Sequence, residues 1–144
     1  MKVVLGSDER TPLTDAVAED LARRGHEVEL IGPPAGEKIE WAEVGRRVGE
    51  RVVGQEADTG VLFCWTGTGA SIAANKVPGV RAALCTDAAT AEGARKWNDA
   101  NVLVMSLRLS NQNLAGEMLD AWFSTDPDPS EKANIEMLEP NRQT

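Results

Sequence analysis

A cysteine followed by a glycine-rich turn is the part of this 144-residue chain best suited to chemistry. Cys64 ends the apolar run 61–64, and Trp65 separates it from the turn Thr-Gly-Thr-Gly at 66–69. The glycines let the backbone approach a ligand, and the first N–H groups of the helix predicted to follow have no partners inside that helix. A strand, a glycine turn and a helix start therefore predict an anion or oxyanion pocket with a thiol beside it.

Two common phosphate-binding patterns are excluded for this turn. No Gly-Lys-Ser/Thr follows the first glycine at the spacing of a P-loop. Ile72 stands where the third glycine of a dinucleotide-binding Gly-x-Gly-x-x-Gly belongs. On the residues alone, two interpretations stay open: a ligand pocket, or a tight strand-to-helix turn whose buried cysteine acts as a small hydrophobic side chain.

Composition excludes several classes of partner. The net charge of −8 and the pI of about 4.7 argue against binding to nucleic acid or to an anionic membrane. No apolar run approaches transmembrane length. Cys64 and Cys85 form no Cys-x-x-Cys, and without a signal peptide we interpret both as free thiols in a reducing cytoplasm. His26 is the only histidine and opens a predicted strand, so we expect a surface position and no metal site.

Strands and helices alternate along the sequence. Short apolar runs predict strands near 2–6, 26–31, 61–64, 80–85 and 102–105. Thr11 followed by Pro12 predicts the start of the first helix, and Thr86-Asp87 caps a later one. A second helix is predicted from the helical spacing of four apolar residues, Trp41, Val44, Val48 and Val52.

This alternation predicts an α/β fold, with a five-stranded parallel sheet between two helical layers in a three-layer αβα, Rossmann-like arrangement. We expect a single domain over 1–144, in which 129–144 forms a short helix and a frayed tail. Ligands of such folds bind outside the carboxyl ends of the strands. The loops 7–10, 64–69 and 85–87 should therefore lie at one rim, where Asp8, Cys64 and the glycine turn can face one ligand.

Four stretches of the sequence resemble the ribose-5-phosphate isomerase B / galactose-6-phosphate isomerase family of sugar-phosphate isomerases. The most specific is the Thr-Gly-x-Gly-x-Ser-Ile-Ala-Ala-Asn-Lys string, followed downstream by Asn-Asp-Ala-Asn-Val-Leu. The four stretches are 6–8, 64–76, 79–85 and 98–103, and the likeness extends from Lys2 to about Trp122. The chain is identified as a divergent member of that family.

The resemblance implies aldose–ketose isomerisation through a cis-enediolate, without metal or organic cofactor. Cys64 matches the cysteine that acts as the base in some members, where a helix N-terminus raises the thiolate fraction. Other members use a glutamate at the position of Ala70, which cannot take a proton. Thr66 matches a residue that hydrogen-bonds the reacting oxygens, and Asp8 one that contacts substrate hydroxyls. The N–H groups of Gly67, Thr68 and Gly69 would hold oxyanion charge.

The resemblance also implies a homodimer, with a dimer of dimers as the larger alternative. Asn98 matches an asparagine that enters the site from the second subunit. The expected ligand is a small carbohydrate, and the expected location is the cytoplasm.

Several positions depart from the family pattern. Glu9 and Trp97 stand where the family has histidines, and the second of those histidines opens the sugar ring. Glu131 and Ile135 fall where arginines hold the phosphate, and Trp65 replaces a glycine beside the base. Losing a bidentate arginine and gaining a carboxylate would repel a phosphate dianion, which argues against ribose 5-phosphate as the substrate.

Three substrate hypotheses follow. A relocated anion site could use Arg10, Lys132 or Lys96. An unphosphorylated sugar could stack on Trp65 or Trp97, for which core or interface packing is the alternative. A tetrose phosphate would need no ring opening. The leading function is therefore isomerisation of a small sugar or sugar phosphate. The alternatives are a sugar- or metabolite-binding homologue without turnover and an epimerase that uses the same proton abstraction.

Overall fold

Five strands alternate with helices in the computed structural model, which describes residues 1–139. The strands are β1 (Lys2–Ser7), β2 (Glu27–Ile31), β3 (Thr59–Cys64), β4 (Ala82–Leu84) and β5 (Val102–Ser106). The helices are α1 (Pro12–Arg23), α2 (Trp41–Val53), α3 (Thr68–Asn75), α4 (Ala88–Asn98), α5 (Gln112–Ser124) and α6 (Lys132–Met137). Short 3₁₀ turns occupy Pro33–Ala35 and Pro129–Glu131.

All strand pairs are parallel, and the sheet has the order β2-β1-β3-β5-β4. Helices α1, α4 and α5 pack on one face of the sheet, and α2 and α3 pack on the other. The central strand β3 is buried along its whole length, as its continuous apolar run predicts. The predicted three-layer, five-stranded parallel α/β fold is confirmed. No helix within residues 1–139 combines the length and the apolar character needed to span a membrane.

Caps at the helix starts follow the sequence closely. Thr11 caps α1 and accepts a hydrogen bond from the N–H of Thr14, whose side chain bonds back to the N–H of Thr11. Asp87 caps α4 by accepting the N–H of Thr90 at 2.7 Å. These caps confirm the predicted starts of two helices, α1 and α4, and they hold the loops that connect β1 to α1 and β4 to α4.

The strand β4 is shorter than the predicted 80–85. The chain turns at Val80, and the N–H of Arg81 donates to the side chain of Asn101, so regular pairing begins only at Ala82. The backbone of Ala82 also forms hydrogen bonds with an amide side chain, on the side of β4 that faces away from β5. Asn75, the last residue of α3, accepts the N–H of Ala82 at 2.8 Å and donates to its carbonyl at 3.0 Å.

The C-terminal helix α6 lies inside the predicted segment 129–144. Glu139 forms an ion pair with Arg81 at 2.9 Å, which ties the end of the described chain to the start of β4. Residues 140–144, predicted as a frayed tail, lie outside the described residues.

Candidate active site

Cys64 is the last residue of the central strand, and its side chain is 5% exposed. The N–H of Gly67 donates to its Sγ atom at 3.2 Å. A backbone donor directed at the sulfur is suited to hold negative charge there, since hydrogen bonds to ionised acceptors are the stronger ones. The thiol that the sequence singles out therefore lies on the glycine turn.

The glycine turn depends on the conformation of Gly67, which has φ +82° and precedes the first residue of α3. A Cβ at Gly67 would lie 2.5 Å from Cδ1 of Leu84 and 3.3 Å from the carbonyl of Met105. Both the left-handed backbone and the close approach of β4 and β5 therefore require glycine at this position.

The backbone at Cys64 and Trp65 is held from the neighbouring strand β5. Ser106 is buried and donates its hydroxyl to the carbonyl of Trp65 at 3.0 Å. The N–H groups of Leu107 and Arg108 donate to the carbonyls of Cys64 and Trp65 at 3.0 and 2.9 Å. Sequence reasoning missed Ser106 and Arg108, although a serine at the end of a buried apolar strand is a signal that could have identified the first.

A pocket of about 250 Å³ opens above this turn. The hydroxyl oxygens of Thr66 and Thr68 lie 2.8 Å apart at its wall. Six residues predicted for the site line this pocket, together with one residue that was not predicted for it, Trp41. The lining consists of Asp8, Trp41, Cys64, Trp65, Thr66, Thr68 and Gly69. The loop 85–87 shares the carboxyl rim but is not part of this lining, because β5 lies between β3 and β4.

Sequence reasoning placed Trp41 in a second helix but missed it as a pocket residue. The structure confirms the helix: Trp41 is the first residue of α2 and is 47% exposed. Its ring packs against Gly69, where an added Cβ would lie 2.8 Å from the indole. The buried residues of α2 begin at Val44, so the first residue of the helix is left to line the pocket.

Among the described residues that line this pocket, Asp8 is the only acidic one. Its Oδ1 atom is buried and has no hydrogen-bond partner among residues 1–139. Burial and the neighbouring charges of Glu9 and Glu40 raise the pKa of Asp8. The lining contains no lysine, arginine or histidine. The wall of the pocket is therefore neutral to acidic and presents two indole rings.

The raised pKa of Asp8 predicts a pH-dependent stability. Because the folded pKa lies above the unfolded value of 3.8, the folded state favours the protonated form, and stability is lost as the pH rises through the folded pKa. Asp8→Asn removes this loss, so we expect a higher Tm than that of the wild type at pH 7. The difference should shrink toward pH 4, as thermal unfolding of both proteins across this range would measure. A difference that grows on acidification would contradict the prediction.

Other predicted residues lie away from this pocket in the same chain. Trp97 and Asn98 end α4, which leads back to the amino ends of the strands, and Trp97 is 54% exposed. Asn98 lines a separate groove with Ala82 and Leu138. Their predicted entry from a second subunit therefore stays a prediction.

The three candidate anion contacts, Arg10, Lys132 and Lys96, are also absent from the pocket lining. Arg10 forms an ion pair with Asp15 at 3.0 Å, and Lys132 lies 3.9 Å from Glu136 on α6. Within residues 1–139 no cluster of three potential metal-binding side chains occurs. His26 stacks on Phe123 and contacts the N-terminus, also away from the pocket.

The second cysteine is not part of the site. Cys85 is buried, and burial together with Asp87 raises the pKa of its thiol to about 12. It is therefore protonated at neutral pH, whereas Cys64 is the thiol that faces the pocket.

The fold and the pocket together define a class: an open parallel α/β sheet whose central strand ends in a thiol and a glycine turn. The profile of the family described as Ribose/Galactose Isomerase matches residues 3–138. The chain belongs to the ribose/galactose isomerase family, as its motifs predict.

Two similar relatives and one solved structure illustrate the range of the family. Ribose-5-P isomerase B of Listeria innocua is 35% identical over 88% of this chain and 86% of its own. D-erythrulose-4-phosphate isomerase of Pectobacterium atrosepticum is 31% identical over 88% of this chain and 84% of its own. The structure of Clostridium thermocellum ribose-5-phosphate isomerase B has a TM-score of 0.90 and 36% identity, covering 96% of this chain and 95% of that one.

Proposed function

We propose that this protein is a cofactor-independent aldose–ketose isomerase that acts on a small sugar or sugar phosphate, with Cys64 as the base. The observation that carries the proposal is the placement of the Cys64 sulfur in the pocket, with the N–H of Gly67 donating to it at 3.2 Å. The named isomerases among its relatives support the same class of reaction.

In this mechanism the thiolate of Cys64 removes a proton from the carbon beside the substrate carbonyl, and a cis-enediolate forms. Thr66 would hydrogen-bond the reacting oxygens. The N–H of Gly67 is already directed at the sulfur, and that of Thr68 lies 3.4 Å from the Thr66 hydroxyl. Gly69 is therefore the member of the predicted oxyanion set best placed to donate to a developing enediolate.

The charge of the pocket supports a substrate other than ribose 5-phosphate. The lining lacks cations, and Asp8 lies close to the carboxylates of Glu9 and Glu40, which would repel a phosphate dianion. The indoles of Trp41 and Trp65 offer apolar faces on which a sugar can stack. A phosphate group would have to reach beyond this wall, where Arg108 is exposed next to Trp65.

A homodimer would complete this site. Trp97 and Asn98 lie at the opposite end of the sheet from Cys64, so only a second copy can bring them to the pocket. Exposed apolar side chains at Trp65, Ile72 and Trp97 supply surface for such contact. A dimer of dimers is the larger alternative.

The test is proton–deuterium exchange at the carbon beside the carbonyl, followed by NMR in heavy water. The panel pairs aldoses and ketoses of four to six carbons, each with and without a phosphate. Exchange accompanied by aldose–ketose conversion supports isomerisation, and the sugars that exchange report whether phosphate is required.

Two other outcomes would redirect the assignment. Exchange with inversion at the same carbon would make the protein an epimerase. Binding without exchange for every sugar would overturn the proposed catalysis and favour a sugar-binding homologue, a function that the loss of the ring-opening histidine at Trp97 also favours.

A further inference from the structure

The carboxyl group of Asp8 is placed for a proton-transfer role beyond holding a hydroxyl group. It lines the same pocket of about 250 Å³ as the sulfur of Cys64. Its Oδ1 atom is buried without a hydrogen-bond partner among residues 1–139, although leaving such a group unpaired costs free energy. Because an ionised carboxylate with a buried, unpaired oxygen is costlier than a neutral carboxyl group, this packing favours a proton on Asp8.

The loop that presents Asp8 is held firmly in place. The buried hydroxyl of Ser7 donates to the carbonyl of Glu9 at 2.6 Å and accepts the N–H of Glu9 at 3.1 Å, so it brackets Asp8. Gly32 packs on the carbonyl of Ser7, where an added Cβ would lie 2.2 Å from the oxygen. Asp8 is thus presented by a constrained turn, which positions its carboxyl group relative to β3.

The surroundings of Asp8 favour its neutral form. The charged groups that influence it are the carboxylates of Glu9, on the same loop, and Glu40, which precedes α2, and no cation lines the pocket. A neutral carboxyl group has one O–H donor and retains an acceptor oxygen. It can therefore give a proton to one substrate oxygen and take a proton from another.

We propose that Asp8 is a second catalytic residue, which carries the proton between the two oxygens of the reacting sugar. This inference rests on the proposed isomerisation. Cys64 takes the proton from C2 of the aldose, the C1–C2 double bond forms, and the C1 oxygen takes the proton of Asp8. The Asp8 carboxylate then takes the proton from the C2 hydroxyl while the C2 carbonyl forms, and C1 receives the proton that Cys64 took from C2. Both residues end in the state in which they began.

Such a shuttle separates two observable rates. Exchange of the C2 proton needs only abstraction by Cys64 and return to the same carbon. Conversion to the ketose also needs a proton to move from the C2 oxygen to the C1 oxygen. Removing the shuttle should therefore slow conversion more than exchange.

The test measures both rates in one sample in heavy water for the wild type and for Asp8→Asn, which keeps the shape of the side chain but cannot cycle a proton. Loss of one acid–base catalyst costs about 10²–10⁴-fold, and we expect conversion to fall by that factor while the ratio of exchange to conversion rises about tenfold or more. Asp8→Glu, which restores a carboxyl group, should return the ratio toward the wild-type value.

Asp87→Asn is the matched control, because it removes a carboxylate at the same rim but keeps a residue able to cap α4. Its ratio should equal that of the wild type. A parallel fall of exchange and conversion in Asp8→Asn would overturn the shuttle and leave Asp8 as a binding residue only. Absence of both exchange and conversion in the wild type would instead overturn the proposed isomerisation, so the two failures are distinguishable. Circular dichroism identifies any variant that does not fold. If Asp8→Asn does not fold, the ratio of exchange to conversion in Asp8→Glu tests the shuttle instead.

Discussion

Cys64→Ala is expected to reduce turnover by about 10²–10⁴-fold, the contribution typical of a positioned acid–base group. The affinity for the sugar should change little, because alanine removes one sulfur atom from the wall and leaves both indoles and both threonines in place. Proton–deuterium exchange should fall by the same factor as conversion, since abstraction from carbon precedes both. Steady-state kinetics and NMR exchange on the sugars accepted by the wild type would measure the two effects.

The matched control is Cys85→Ala. Cys85 is a second buried free thiol, outside the pocket and protonated at neutral pH. Its replacement should lower stability modestly and leave turnover close to that of the wild type. If Cys64→Ala retained full exchange, the base would be another group and the proposed mechanism would be wrong.

Gly67→Ala is expected to be the most damaging of the small substitutions in the turn. Its left-handed backbone costs about 1–2 kcal/mol for a residue with a Cβ. The contacts of the added Cβ with Leu84 and Met105 add a similar or larger cost, typically about 1–3 kcal/mol for overpacking. We expect a loss of about 2–5 kcal/mol in the free energy of unfolding by urea denaturation, together with reduced turnover because the N–H donor to Cys64 shifts.

Gly25→Ala separates the two contributions. Gly25 has φ +91°, but an added Cβ would meet nothing within 4 Å. This variant should therefore lose only the conformational part, about 1–2 kcal/mol, and keep its activity. If both variants lost the same free energy of unfolding, Leu84 and Met105 would have to accommodate the added Cβ at Gly67 without loss of stability.

The architecture was accessible to sequence reasoning because its signals are local and agree with one another. The uninterrupted apolar run of β3, the Thr11-Pro12 start of α1 and the cap at Asp87 each predict one element, and the structure confirms all three. The short extent of β4 was not predictable in this way. It is set by the side chain of Asn101, which is distant in sequence and bonds the backbone of Arg81.

The site was only partly accessible from sequence. The sequence placed Asp8, Cys64 and the glycine turn together, because parallel strands bring their carboxyl ends to one rim. It missed Trp41 as a pocket residue, since helical spacing assigns a residue to a helix but does not show which cavity its ring lines. It also missed the unpaired oxygen of Asp8, because an unsatisfied atom is a property of tertiary packing.

The amide of Asn75 has a consequence for self-association. Open sheet edges expose backbone N–H and carbonyl groups that can template the addition of a strand from another molecule, the first step of fibrous aggregation. At the β4 edge both backbone groups of Ala82 are already bonded by the Asn75 side chain, which imitates the next strand. One amide at the end of α3 thus occupies, at the first residue of the shortest strand, the backbone groups with which an added strand would have to pair.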